Sequence, residues 1–166
     1  MRLSAIAGTI CAALLWGSAA HAQQPPMPPA PPPIGAPVTV EQAKKTVAAA
    51  VADAKQRPYL LVFAVVDPAG SLVYFEKMDG APYASTDLAI RKAITAATFE
   101  RPSAAFFEQM EGGHAYVTTL APSMAASRGG LPLIVGGKLI GAIGVSGSSN
   151  PIFDQQAAQA GADALK

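Results

Sequence analysis

Two spacings of apolar residues run along the chain, and they separate predicted helices from predicted strands. Apolar positions recur at helical spacing from Val40 to Ala54, behind a capping box formed by Thr39 and Gln42, which predicts a first helix ending near Pro58. The following run from Leu60 to Val66 is continuously apolar and rich in β-branched and aromatic side chains. It predicts a strand that is buried on both faces.

Turn-forming residues predict two β-hairpins. The segment from Asp67 to Gly70 reads Asp-Pro-Ala-Gly, in which proline presets the second position of a turn and glycine suits the fourth. It would join the buried strand to a second strand at 72–78. A Gly-Gly pair at 136–137 would join strands at 131–135 and 138–146. Hairpin strands pair antiparallel, so the sheet should be antiparallel.

Three further helices are predicted from their capping residues. Ser85 is placed to cap a helix that runs to about Glu100, and Ser103 a short helix through Met110. Asn150, followed by proline, is placed to cap the last helix. The order helix, hairpin, helices, hairpin, helix predicts an α/β domain of the α+β type, with helices covering the sheet.

The first 22 residues are typical of a secretory signal. Arg2 is followed by an apolar run to Gly17, and Ala20 to Ala22 forms a small-residue triplet that suits cleavage before Gln23. The apolar run is shorter than the roughly 20 residues of a membrane span, which favours a cleaved signal over an anchor. We therefore expect a periplasmic or secreted protein with no stable membrane insertion after cleavage.

The residues that remain after cleavage divide into a tether and a domain. Residues 23–37 are rich in proline and predict an extended spacer, and 38–166 form the folded domain. The mature chain has no cysteine and carries 11 basic and 11 acidic residues. Stability must therefore come from packing, and the charge balance argues against nucleic acid or an anionic membrane surface as a partner.

Most catalytic signatures are absent from the sequence. Ser146 lies in a Gly-Val-Ser-Gly-Ser segment, where a nucleophile elbow would need glycine in place of Ser148. His114 is the single histidine of the mature chain, which excludes a site built from several histidines. Glu108 and Glu111 lie one helical turn apart, and a solvated helix face is favoured over a weak metal site for this pair.

Three places in the sequence suggest a ligand-binding or catalytic site. Lys92 lies on an apolar helical stripe, so its ammonium needs either a pocket partner or a route to solvent. Gly141 and Gly144 interrupt an apolar strand, which suits close approach by a packed helix or by a planar ligand. The segment from Met78 to Gly80 ends a strand, and its Asp79 suits either a turn or a site.

Taken in order, these places and their neighbours resemble the GlcG/HbpS family of haem-binding-like proteins, which also includes the C-terminal domain of some cobalamin adenosyltransferases. The resemblance spans roughly residues 38–166. It rests on these segments: Asp67 to Gly70, Met78 to Ala81, Ser85, Lys92 with Ala93, Phe99, Pro102, Gly129 to Pro132, Gly141 to Gly147, and Asp154. Ser103 stands where threonine is commoner, and Ser148 where a second glycine often follows.

The resemblance implies a profilin-like fold with a central antiparallel sheet of about five strands and helices on its faces. It also implies a homo-oligomer, and haem or a related tetrapyrrole as the ligand of some members. The family residues that would line the pocket or the oligomer contact carry over as Met78, Asp79, Gly80, Ser85, Lys92, Gly130, Ser146 and Asp154.

The leading hypothesis is an exported module that binds haem or a related tetrapyrrole. Haem iron needs a donor such as histidine, methionine or tyrosine, which makes His114 the first candidate, with Met78 and Tyr83 weaker. Lys92 or an arginine would form an ion pair with a haem propionate.

Two alternatives to haem binding stay open. One is an enzyme that handles a small acid, less favoured because no base–nucleophile pair can be named. The other is an oligomeric accessory or scaffold protein without a tight ligand.

Overall fold

A computed structural model describes residues 30–166 as four α-helices, one short 3-10 helix and four strands. The predicted signal and residues 23–29 of the predicted tether lie outside these residues. In chain order the elements are α1 (Val40–Ala54), β1 (Val62–Val66), β2 (Leu72–Lys77), α2 (Ala84–Thr98), α3 (Ala104–Glu111), a 3-10 helix (Ala115–Thr119), β3 (Gly130–Val135), β4 (Lys138–Ser146) and α4 (Pro151–Asp163). Within 30–166, no helix combines the length and apolar character needed to cross a bilayer.

The strands form one sheet in the order β2-β1-β4-β3, and each neighbouring pair is antiparallel. The fold class is therefore confirmed as a helix-covered antiparallel sheet, with four strands where about five were expected. The chain before α1 adds a single bridge instead, between Ile34 and Leu139. Prolines at 31–33 and 37 lack the N–H groups that a longer ladder would need.

That bridge fixes the end of the proline-rich segment against β4. The carbonyl of Pro33 accepts from the N–H of Leu139, and Gly35 and Val38 donate to the carbonyls of Leu139 and Ile140. β1 pairs with β4 only from Ala142 onward, so the segment occupies the position beside β4 that β1 leaves free. The described part of the predicted tether, residues 30–37, is therefore bound to the domain.

Helices cover both faces of the sheet. α2 packs on the face that carries Val62, Ala64 and Ala142, while α1 and α4 pack together on the face that carries Phe63 and Ile143. All five side chains are fully buried. This alternation along β1 explains its continuously apolar sequence, because each of its faces meets a helix layer.

The helix caps test the sequence predictions directly. The capping box at Thr39 is present, and the side chain of Asn150 accepts from the N–H of Ile152. The Ser85 prediction was wrong, because α2 begins at Ala84 and Ser85 lies inside its first turn. Ser103 does precede α3, yet its hydroxyl donates to the carbonyl of Ser127 and accepts from Gly130 N–H instead of capping.

Candidate functional site

Most of the predicted site residues gather at one end of the sheet. Val62 pairs with Lys77 on one side and with Ser146 on the other, so Met78 and the end of β4 share an edge. α2 starts at the same end, because its residues 89 and 93 approach Gly144 while its last turn approaches the β1–β2 turn. The segment from Met78 to Gly80, the end of β4 and the first turns of α2 therefore lie at the same end of the sheet.

Lys92 lies in the interior at this end, paired with Asp154. Its ammonium donates to an oxygen of Asp154 at 2.9 Å and to the carbonyl of Val145 at 3.0 Å. Both side chains of the pair are only 3% exposed. Burial lowers the pKa of Lys92 from its ordinary value, against the opposing effect of the Asp154 carboxylate. Lys92 therefore neither reaches solvent nor presents a free charge to a ligand.

Asp154 uses its second oxygen as well. That oxygen accepts from the backbone N–H of Ser148 at 3.0 Å and from its hydroxyl at 2.7 Å. Ser148, which departs from the family pattern, thus completes the set of partners around the carboxylate. The network joins α2, the loop after β4 and the first turn of α4, which indicates a structural role for the pair.

The glycines of β4 and β3 allow α2 to lie directly on the sheet. A Cβ added at Gly144 would lie 2.5 Å from the backbone nitrogen of Ala93 and still closer to the Ala89 carbonyl oxygen. One added at Gly130 would collide with the Lys92 backbone and with the Ser103 hydroxyl. The close neighbour of Gly144 is therefore a helix, and no space for a planar ligand remains between α2 and β4 there.

The corner from Met78 to Gly80 is the accessible part of the predicted set. Asp79 and Gly80 are exposed, and Gly80 adopts a φ of +81°, as this turn requires of a glycine. The sulfur of half-buried Met78 lies 3.3 Å from the Leu61 N–H that donates to it. Tyr83 is 92% exposed, with the ammonium of Lys77 4.5 Å from its ring centroid.

His114 lies apart from that corner in sequence, in the loop after α3. It is exposed at the start of the 3-10 helix, and its ring centroid is 6.2 Å from that of Tyr116. No group of three or more metal-ligating His, Cys, Asp or Glu side chains occurs within 30–166. Haem needs only one axial donor from the protein, and an exposed imidazole meets that requirement.

Two cavities are present that the sequence did not indicate. One, of about 450 Å³, lies between residues 30–32 and the α2–α3 corner at 99–102, where Glu100 holds a φ of +55°. The other, of about 270 Å³, is lined by Phe107, Arg128, Asn150, Pro151 and Ile152. Each is assembled from segments far apart in sequence, so no local pattern could have revealed it.

Sequence comparison places the chain among known proteins. The family model described as "Haem degrading protein HbpS-like" matches residues 38–163. The chain belongs to this family. Escherichia coli K12 protein GlcG is 33% identical over 107 residues, which are 64% of this chain and 78% of GlcG. The resemblance drawn from the sequence motifs is thereby confirmed.

Solved structures of family relatives share the fold. A double mutant of Streptomyces reticuli HbpS superimposes with a TM-score of 0.72 at 31% identity, covering 83% of this chain and 99% of that one. The PduOC:heme complex gives a TM-score of 0.72 at 26% identity, covering 78% of this chain and 96% of that one. One structural neighbour is thus known with heme bound.

Proposed function

We propose that this protein is an exported module that binds haem or a related tetrapyrrole. The observation that carries the proposal is the shared fold with the PduOC:heme complex, whose sequence is 26% identical to this chain. Membership of the HbpS-like family supports the same class of ligand. The proposal concerns binding alone, because a shared fold does not by itself establish a reaction.

His114 is the proposed donor to the haem iron. Its imidazole is exposed, and a neutral imidazole is a common axial ligand of haem. Met78 is the weaker candidate because its sulfur already accepts a hydrogen bond from Leu61. Of the remaining predicted ligand residues, Asp79 and Gly80 are exposed enough to touch a ligand. Four of the predicted residues are buried and so present no surface to a ligand: Ser85, Lys92, Gly130 and Ser146.

Titration with hemin tests both parts of this proposal. We expect a saturable, shifted Soret band at one haem per chain, and loss of that shifted spectrum in His114→Ala. Tyr116→Phe is the matched control, because it alters the neighbouring ring and leaves the donor in place. A wild-type spectrum identical to hemin in buffer would overturn haem binding. An unchanged spectrum in His114→Ala would overturn the donor alone, and Met78→Leu would then test the second candidate.

The small-acid enzyme is less well supported than binding. Such an enzyme would need a polar cluster of Lys92, Asp79 and Ser146. These residues do not share an accessible surface, because Lys92 and Ser146 are buried whereas Asp79 is exposed. The ammonium of Lys92 is also held by Asp154. A substrate at Asp79 would therefore meet neither a free lysine nor an accessible hydroxyl from this set.

Export is proposed from the sequence of residues 1–22, which ends in a cleavage triplet. The expected outcome in a bacterial host is a periplasmic or secreted product whose intact mass corresponds to a chain that begins at Gln23. A full-length product that stays in the cytoplasm would contradict the proposal.

A homo-oligomer is proposed from the family resemblance and from the exposed apolar surface. The exposed large apolar side chains include Leu60, Leu72, Tyr83 and Leu88, and Leu72 begins the edge strand β2. Exposed apolar surface beside an open strand edge is typical of an association face. Light scattering coupled to size exclusion should give a multiple of the mature chain mass, and a monomer at micromolar concentration would contradict the proposal.

A further inference from the structure

The smaller cavity lies on the outer side of the start of α4. Its apolar walls are the ring of Phe107 from α3 and the side chains of Pro151 and Ile152. Its polar lining comes from Arg128, just before β3, and from Asn150, the N-cap of α4. Apolar walls with a few convergent polar groups are typical of small-molecule sites, and about 270 Å³ is just below the range for drug-sized ligands.

The guanidinium of Arg128, which lines this cavity, is available to a ligand. The guanidinium of Arg128 lies over the ring of Phe107, 5.3 Å from its centroid, and the arginine side chain is 33% exposed. One guanidinium nitrogen contacts Glu108 at 3.3 Å, and that glutamate is 61% exposed. An exposed ion pair of this kind is worth at most about 1 kcal/mol, so another carboxylate can displace Glu108.

The carboxylate nearest the start of α4 is already paired within the protein. Asp154, in the first turn of α4, is neutralised within the interior by Lys92 and by hydrogen bonds from Ser148. The positive end of the α4 dipole faces the same region as Arg128. Among the residues that line the cavity, the charged one is Arg128, and together with the N-terminus of α4 it favours an anion.

We propose that this cavity binds a small amphiphilic carboxylate. The carboxylate pairs with Arg128, and an aromatic or branched apolar body lies between Phe107 and Ile152. His114, the proposed haem donor, does not line this cavity, and the proposal does not depend on haem binding. The same chemistry has two possible sources: a free small acid, or the propionate of a tetrapyrrole whose ring lies outside the cavity.

Benzoate and its neutral isostere benzamide are the probes, with the mature protein observed by ¹H–¹⁵N NMR. We expect saturable benzoate shifts at the Arg128 Nε–H and the Ile152 amide, and at least tenfold weaker binding of benzamide. Arg128→Gln should abolish the preference for benzoate. Glu108→Gln should tighten benzoate several-fold, because it removes the competing carboxylate. Arg101→Gln is the matched control, since Arg101 also stacks on an aromatic ring, that of Phe106, but does not line this cavity.

Three results would overturn the site: no saturable benzoate shift in the wild-type protein, equal affinities for benzoate and benzamide, or an unchanged preference in Arg128→Gln. The first two use the unaltered protein and so do not depend on how a variant folds.

Competition identifies the source of the carboxylate. Displacement of benzoate by hemin, but not by hemin dimethyl ester, assigns it to a propionate, whereas failure of hemin to compete assigns it to a free acid. Because benzoate binding is measured without haem, failure of the haem proposal is distinguishable from failure of this one.

Discussion

Two cationic side chains near the start of α4 have opposite environments. Lys92 lies on the inner side, where its side chain is 3% exposed and its ammonium contacts both Asp154 and a backbone carbonyl. Arg128 lies on the outer side, where its side chain is 33% exposed and lines a cavity. One guanidinium nitrogen contacts Glu108, which is itself mostly exposed. The two positions differ in solvent access and in how fully their donors are used.

This difference shows how burial separates structural from ligand-binding charges. A buried charge must be fully paired, and pairing leaves nothing for a ligand. A half-exposed guanidinium with five donors keeps some of them free at small cost. By sequence pattern alone Lys92 was the more conspicuous residue, but the exposed Arg128 is the cation that we propose contacts a ligand.

The largest expected effect comes from breaking the buried pair. Asp154→Ala should lower the free energy of unfolding by about 3–5 kcal/mol, because it leaves the ammonium of Lys92 buried without its carboxylate. Arg128→Gln should cost less than about 1 kcal/mol. Urea denaturation followed by circular dichroism measures both. Similar losses in the two variants would remove the distinction between the two cations.

The second prediction concerns the close contact between α2 and β4 at Gly144. Gly144→Ala should cost about 1–3 kcal/mol or more, because the new methyl group would push the α2 backbone away from β4. Gly112→Ala is the matched control, since its added Cβ would find its nearest neighbour at 3.4 Å and should change stability by less than about 0.5 kcal/mol. Thermal unfolding of both variants checks the prediction, and a Gly144→Ala protein as stable as the control would contradict close packing of α2.

The third and smallest effect is the titration of Lys92 itself. Burial lowers its pKa below 10.5, so its ¹³Cε resonance should titrate below that pH, and lower still in Asp154→Asn. Between the folded and unfolded pKa values the unfolded chain binds more protons at Lys92. The contribution of Lys92 to the free energy of unfolding therefore rises with pH across that interval.

Stability measured against pH, relative to Lys92→Met, checks the sign of this effect. The wild-type protein should gain stability relative to the variant as the pH rises towards 10.5. A titration midpoint at or above 10.5, or a relative loss of stability over the interval, would show that the attraction of Asp154 outweighs desolvation.

The sequence by itself determined the four α-helices and four strands of the described domain, but not the 3-10 helix at Ala115–Thr119. β4 spans Lys138–Ser146 as predicted, and the caps at Thr39 and Asn150 are present, because periodicity, turn residues and capping depend on neighbours within a few positions. The family resemblance grouped Met78 to Gly80, Ser146 and Lys92 as site residues, and the strand register brings the two β segments of this group to the same end of the sheet.

Only the tertiary structure decided what those residues do. Lys92 meets Asp154 across 62 positions, and the hydroxyl of Ser103 serves Ser127 and Gly130 instead of its own helix. The cavity beside Arg128 is assembled from α3, the start of β3 and α4. Contacts of this kind depend on how whole elements pack against one another, and local spacing carries no information about them.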